Sequence, residues 1–472
     1  VLLLYLACKL WQMYVLSTTD QTSKLPLPPG SMGWPIIGES LNFISKPTAF
    51  YNDRRTKYGR VYKTHLLGQP TIRVIGAENV QKILTHEDEL VTHRWPSSTR
   101  TIMGENGVIH SGGAEHNSRR IAIAKAFQHS ALSTYVPEMQ ETVHNFIRTW
   151  CDKGRILGYP ECRTLAFSIT SKVLLGCDFT QSKDVEEALA NFEDNLFSFP
   201  VNIPGSGLHK GIKARNFLLT KIDECISRHK SGSQSYPSAL GLLLSQSPQG
   251  SLSQTELRNI ALELLFAGHQ TTASAACCLM MHLGKKTEVV DRIAEELYDR
   301  HLFQEANFNT QLNLDAISEL RYLSQVVREV LRINPPVGGG FRKVLKTFDV
   351  DGMQVPKGWT VTYSIRDTHE TTNFFQQRDK FDPDRWNAIQ GDSQEVKYNY
   401  LPFGAGARGC LGKEFAKLIL KILAIELVRN CSWRLLNASP EMKYLPVAYP
   451  TDNLPIEFSS APRPLRPRAL TL

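Results

Sequence analysis

Paired cysteines at metal or redox spacing are missing from this chain. Its nine cysteines stand singly or as the adjacent pair Cys277-Cys278, with no C-x-x-C. An odd, unpatterned set argues against a disulfide framework and for a reducing compartment. No block of Lys and Arg interleaved with aromatics points to nucleic acid. No Gly-rich dinucleotide fingerprint is present, so any flavin or nicotinamide chemistry must belong to another protein. Internal repeats are absent, and no linker divides the chain into independently folding units.

What is present is ordinary globular material. The chain has 472 residues, 42% hydrophobic and 21% charged, enough for a large core. The net charge of +8 suits solvated surface and, in part, a docking face for an acidic protein or an anionic membrane. Residues 1–16 are apolar except Lys9 and Gln12. That is shorter than the ~20 residues of a full span, and it reads as the C-terminal part of a membrane anchor. No small-residue cleavage site follows, which argues against a signal peptide. Leu25-Pro26-Leu27-Pro28-Pro29-Gly30 is a stiff extended hinge. The expected organisation is anchor and linker over 1–24 and one catalytic domain over 25–472.

Periodicity predicts helices over 48–58, 77–85, 115–151, most of 161–229, 318–333 and 413–429. Arg60–Leu67 and Thr71–Ile75 read as a β-hairpin around Gly68-Gln69-Pro70, and two short strands are expected near 343–350 and 354–362. Val91–Gly113 is a long loop, a length usually kept for function. The Ser- and Gln-rich stretch 231–251 reads as an exposed loop. Ser253 with Glu256 forms a capping box that opens a helix running to about Gly284. From Ile260 to Met281 that helix is apolar nearly all round, so it crosses the interior. The class is mainly α with small β-sheets.

Polar residues inside such a helix are costly unless used. Ala267-Gly268-His269-Gln270-Thr271-Thr272 sits there. After it, Glu329 and Arg332 share a helix face three residues apart. Phe381-Asp382-Pro383-Asp384-Arg385-Trp386 follows, and then Phe403-Gly404-Ala405-Gly406-Ala407-Arg408-Gly409-Cys410-Leu411-Gly412. In the last segment an aromatic, glycines, an arginine and one cysteine form a loop around a single sulfur. Gly406 and Gly412 allow the backbone close to a flat ligand, Arg408 can meet a carboxylate, and N–H groups turned to the sulfur favour thiolate.

These signatures, in this order, resemble the cytochrome P-450 superfamily of haem-thiolate monooxygenases. The resemblance implies haem b between the long helix and the Cys loop, with Cys410 as axial thiolate ligand and Phe403 packed beside it. Thr271 is then the alcohol that handles protons at the oxygen-binding face. Gly268 marks a backbone kink that leaves room for oxygen. Gln270 stands where family members carry an acid, and an amide cannot deliver a proton as a carboxyl does. Glu329, Arg332 and Arg385 become a structural ion triad that locks the Cys loop. Arg408, Arg342, Arg120 and His116 become the groups that hold the haem propionates. Electrons must come from an NADPH-dependent flavoprotein reductase, for which Arg119, Lys125, Lys413, Lys417 and Lys421 offer a basic face. The implied location is the endoplasmic reticulum membrane, with the catalytic domain facing the cytosol.

Short strings narrow the resemblance. Tyr62–Gly68, Glu263–Phe266, Thr271–Ala275, Asn334–Val337 and Asp452–Pro455 look like the animal retinoic acid hydroxylases, which inactivate all-trans-retinoic acid by hydroxylating its ring, mainly at carbon 4. A retinoid needs a long apolar slot closed by one cation. Candidate walls are Trp95, Thr99, Phe199, Phe266, Val337 and Gly338, and Arg73 is the candidate carboxylate partner. Three alternatives stay open on sequence alone: another lipid substrate such as a sterol or fatty acid, a haem-thiolate isomerase or dehydratase, and a non-enzymatic retinoid or haem binder.

Overall fold

A computed structural model describes residues 2–104, 107–232, 237–246, 252–303, 311–389 and 393–460. Its centre is the helix Gln254–Lys285, capped by Ser253 and Glu256 through the expected reciprocal hydrogen bonds. It is unbroken and about 48 Å long at 1.5 Å per residue. Helices Gly158–Ile169, Gly207–Lys230, Arg321–Ile333 and Lys413–Asn430 pack around it. Because it is apolar all round, every face can be covered, and its second half is almost wholly buried.

A five-stranded sheet stands to one side, in the order Val61–Leu66, Gln69–Val74, Thr360–Ser364, Gly339–Val344, Val91–His93. The hairpin expected near Gly68 is present, but its turn is Leu67-Gly68, with Leu66 paired to Gln69. Both turn residues have positive φ (52° and 77°), as a two-residue turn matched to strand twist requires. Gln69 and Pro70 therefore already belong to the strand. The second sheet region divides further than expected, with a separate small hairpin of Phe348–Val350 and Met353–Val355.

The 231–251 stretch departs from its exposed-loop reading. Residues 233–236 and 247–251 lie outside the described residues. Between them Ala239–Gln246 is a helix whose Ala239, Leu240 and Leu243 are buried in the core. The apolar run Ala-Leu-Gly-Leu-Leu-Leu decided its fate, not the Ser and Gln around it. Among the described residues one cysteine pair, Cys177–Cys225, is bonded, which is a cross-link and not a framework.

Helix Leu2–Ser17 is 16 residues long. Among the described residues no helix is long and apolar enough to cross a membrane. Its end rests on the sheet: Trp11 meets His65 edge-on at 5.0 Å, Val15 is buried, and Trp359 Nε1 donates to Thr18 Oγ1 at 3.1 Å. Its other side leaves Tyr5, Leu6, Leu10, Met13 and Tyr14 exposed. The Pro-rich hinge lies along strand edges, where Gln354 N donates to Pro26 O and Lys63 N to Pro29 O.

Candidate active site

The Cys loop is built by glycine geometry. Gly404 and Gly406 take φ of 66° and 71°, where residues with a Cβ are strained. At Gly406 a Cβ would lie 2.1 Å from the carbonyl oxygen of Leu84, so only glycine lets the loop press against that helix end. Cys410 N donates to Phe403 O at 2.9 Å, closing the loop. Gly412 has an ordinary φ of −84° and only the Phe127 ring within 4.0 Å of a Cβ. Close backbone approach is therefore the part of Gly406. Cys410 as a residue is exposed, while protein packs around its thiol. Burial raises the thiol pKa, while the Gly412 N–H, Arg120 and Lys413 oppose that shift.

Basic groups crowd the same place. Arg408 donates to Glu87 (2.7 Å), His93 Nδ1 (2.9 Å) and Ser111 O (2.7 Å). Arg342 reaches the other oxygen of Glu87 at 2.7 Å. Arg120 donates to Gly409 O, next to the cysteine. His116 is buried beside Arg408 and Arg120. Burial first, then His93, Arg100 and Arg408 for His110 and Arg408 and Arg120 for His116, push both histidines down to about 4. Both ring nitrogens of His110 are buried and have no hydrogen-bond partner among the described residues. Three arginines and three histidines thus converge with Glu87 and Asp88 as the acids acting on them.

On the long helix Ala267 is exposed and Thr271 partly so, although Leu265 and His269 are fully buried. Thr271 Oγ1 donates to Ala267 O at 2.6 Å. Its one proton is spent there, leaving its lone pairs to accept. Gln270 is buried and its side chain makes no hydrogen bond among the described residues. Gly268 lies within a helix that continues on both sides of it. A Cβ there would sit 2.6 Å from Thr170 Cγ2, so glycine is required by the neighbouring π-helical turn Thr170–Leu175.

The ion triad is assembled. Glu329, fully buried, receives Arg332 Nε and Nη2 (2.9 Å each), Arg385 Nε (2.8 Å), Trp386 Nε1 (3.1 Å) and Asp382 N (3.0 Å). Every lone pair is used, which is what makes a buried carboxylate tolerable. His369 carries the connection onward: its Nδ1 meets Arg332 O at 3.0 Å, and its Nε2 accepts from Leu401 N at 2.7 Å, at the start of the Cys loop.

The cytochrome P450 family model matches residues 28–458. The chain belongs to the cytochrome P450 family. It is 43% identical to cytochrome P450 26A1 of Danio rerio over 98% of this chain and 96% of that one. It is 41% identical to cytochrome P450 26B1 of Mus musculus over 97% and 91%. Among solved structures, retinoic acid bound cyanobacterial CYP120A1 superposes with a TM-score of 0.84 at 32% identity, covering 93% of this chain and all of that one.

Its cofactor is therefore a haem with a cysteine thiolate ligand, and the residues present fit one. A single exposed cysteine stands in a glycine-cradled loop, and a surplus of buried cations, with the His110 nitrogens unpartnered among the described residues, suits a dianionic edge. Cys410 would hold the iron, and Arg120, Arg342, Arg408 and His116 would meet the propionates, joined by His93 and His110, which the sequence reading overlooked. Their spacing in a Gly- and Ser-rich loop carries no periodic signal.

Several substrate candidates need correction. Arg73 is already paired: its Nη2 donates to Asp367 at 2.9 Å, and its guanidinium lies over Tyr51 at 4.0 Å. Asp367 also holds Arg55 and Ser364, so Arg73 stabilises the sheet and is not offered to a ligand. Thr99 is buried, and its hydroxyl, with that of Ser98, donates to Leu196 O, tying helix Ser97–Met103 to the end of helix Lys183–Asp194. Phe199 is 75% exposed in the connection that follows and points away from the interior. Trp95, Phe266 and Gly338 are partly buried and Val337 is exposed; Phe266 packs edge-on to Phe192 at 5.9 Å. Of the basic face, Arg119 is buried on Glu256 and Glu115, and Lys421 turns to Ile317 O. Lys125, Lys413 and Lys417 remain toward solvent.

Proposed function

We propose that this cytochrome P450 is a monooxygenase that hydroxylates all-trans-retinoic acid, on the ring at carbon 4. The observation that carries the reading is the whole-chain likeness to a retinoic acid bound cytochrome P450 structure, at a TM-score of 0.84 and 32% identity. The short strings from Tyr62 to Pro455 that resemble retinoic acid hydroxylases support it. When bound, the haem supplies oxygen activation: O2, two electrons and two protons put one oxygen atom into a C–H bond and release the other as water.

The chain's own groups do the rest. Cys410 gives the thiolate, with the Gly412 N–H moderating its charge. Arg120, Arg342 and Arg408 orient the cofactor's carboxylates. Phe266, Trp95, Val337 and Gly338 are apolar or backbone surfaces for the polyene. Thr271 accepts a proton donor at its oxygen, and Gln270 offers an amide that can hold water in place of a carboxylic acid. The Glu329 triad and His369 keep the loop in register. Electrons arrive from a redox partner, which we read as an NADPH-dependent flavoprotein meeting Lys125, Lys413 and Lys417; turnover without an added reductase would overturn that part. Residues 1–24 serve as anchor and linker to the endoplasmic reticulum, with residues from 25 onward as one cytosol-facing catalytic domain.

The test is a Soret titration of the ferric protein with all-trans-retinoic acid. A thiolate spectrum that moves from low toward high spin is expected. A thiolate spectrum that stays fixed would reject the retinoid while leaving the enzyme class intact.

A further inference from the structure

One buried acid has no part in the chemistry above. Glu263 lies on the long helix, seven residues before Gln270 and on the same face. Its carboxylate accepts Val108 N at 2.7 Å and Ile109 N at 3.1 Å, one on each oxygen. Gly107 approaches side-on: a Cβ there would be 1.9 Å from Glu263 Oε1. Two successive loop N–H groups are thus gripped by one side chain from the helix, which removes the cost of leaving them unpaired in the interior.

The gripped segment spans the two halves of the site. Arg119 Nη1 donates to Gly107 O at 3.0 Å. Arg408, two residues before Cys410, donates to Ser111 O at 2.7 Å. Between these points Ile109 packs into the apolar cluster that contains Phe192 and Phe266, one turn before Gln270. His110, with its unpartnered ring nitrogens, comes next. Residues 107–111 therefore form a strap from the long helix to the Cys loop, and Glu263 sets where Ile109 stands.

We propose that Glu263 is a positioning residue for the oxidation: by fixing Val108 and Ile109 it sets the wall that decides which carbon of the substrate is oxidised. This rests on the monooxygenase reading above. A carboxylate is needed for the grip because it offers an acceptor to each N–H at once. A protonated carboxyl or an amide turns one of those acceptors into a donor. Burial pushes the Glu263 pKa up to about 7, while the Val108 and Ile109 N–H groups and Arg119 pull it back. Arg119, from helix Gly113–Ala124, is the charged group facing it; Arg119 also engages Glu115 and, on the long helix, Glu256. The grip is therefore full above about pH 7 and weakens below it.

The experiment compares the unaltered holoenzyme with Glu263→Gln. Ring-oxidation products of all-trans-retinoic acid are resolved between pH 6 and 8, and amide exchange of the peptide covering 107–111 is measured. In the unaltered chain the major product's share should fall as pH drops through about 7. Glu263→Gln should give the low-pH product mixture at every pH, with amide protection at Val108 and Ile109 reduced about tenfold or more. A retained thiolate–CO band reports an intact haem site. Unchanged protection in the variant would overturn the grip. Lost protection with an unchanged product ratio would overturn the role in selectivity. If Glu263→Gln fails to fold, a flat product ratio from pH 6 to 8 in the unaltered chain overturns the proposal by itself. If retinoic acid gives no Soret shift, the substrate reading has failed, and the ratio is measured on the sterol or fatty acid that does give one.

Discussion

At the residue scale the most consequential feature is a carboxyl that is not there. Gln270 occupies a buried position on the long helix where an acid could feed protons, and the adjacent Thr271 has already given its hydroxyl proton to Ala267 O. Gln270 brings no titratable proton to that position, because an amide does not ionise. Gln270→Glu should introduce a titratable donor: the fraction of NADPH electrons recovered as hydroxylated product should become pH-dependent, whereas in the unaltered chain it should not follow an ionisation at this position. Product and peroxide yields per NADPH between pH 6 and 9 check it, and an identical flat profile in both proteins would remove Gln270 from the proton path. Gln270 and Thr271 were legible from sequence because a polar pair in an apolar helix is a local signal. Their neighbour's partner was not. His269 Nδ1 meets Glu193 at 2.9 Å across 76 residues, and nothing in the sequence near Glu193 announces that meeting.

At the element scale, packing explains residues that look functional when read in one dimension. Gly268, which by resemblance marks a kink made for oxygen, also makes room for Thr170 through its missing side chain. Gly268→Ala should destabilise the holoenzyme by about 1–3 kcal/mol, the cost of overpacking, even though alanine is the better helix former. Removing the obstructing methyl with Thr170→Ser should recover most of that loss, since the serine keeps the hydroxyl that donates to Ala166 O. Chemical denaturation of the two single variants and the double variant measures it; additive single effects would refute the contact. The ion triad is the opposite case. Glu329 and Arg332 were visible as an i,i+3 pair, and Arg385 through its motif, but His369, which passes the triad's position to Leu401, was invisible because it bridges two backbones without any sequence spacing of its own.

At the scale of the whole molecule, buried histidines set an acid limit. Burial holds His65, His282 and His369 down to about 4, against ~6.5 in the unfolded chain. A depressed folded pKa contributes stability that is complete above the unfolded value and is lost as pH falls toward the folded one. These three should together remove several kcal/mol between about pH 6.5 and 4, at ~1.4 kcal/mol per pKa unit per group. Glu263 works the other way, because its folded pKa of about 7 is raised, and it offsets one histidine at most. The denaturation midpoint of the holoenzyme should therefore decline steadily from pH 6.5 to 4.5; a constant midpoint would mean that the histidines are solvated or charged in the native state.

By itself the sequence determined what is local. The Ser253–Glu256 cap, the apolar helix behind it, the hairpin at Gly68 and the glycine-rich loop around Cys410 follow from contacts among near neighbours, and so they could be read in order along the chain. Tertiary structure alone decided how charge is spent. Arg73, expected to meet a substrate, is claimed by Asp367 from a short helix 294 residues away; Arg119, expected on the surface, is buried on Glu256; and Glu263, inconspicuous in its helix, holds a loop 155 residues earlier. A charge in the interior is stable only with a partner, and folding, not spacing along the chain, supplies it.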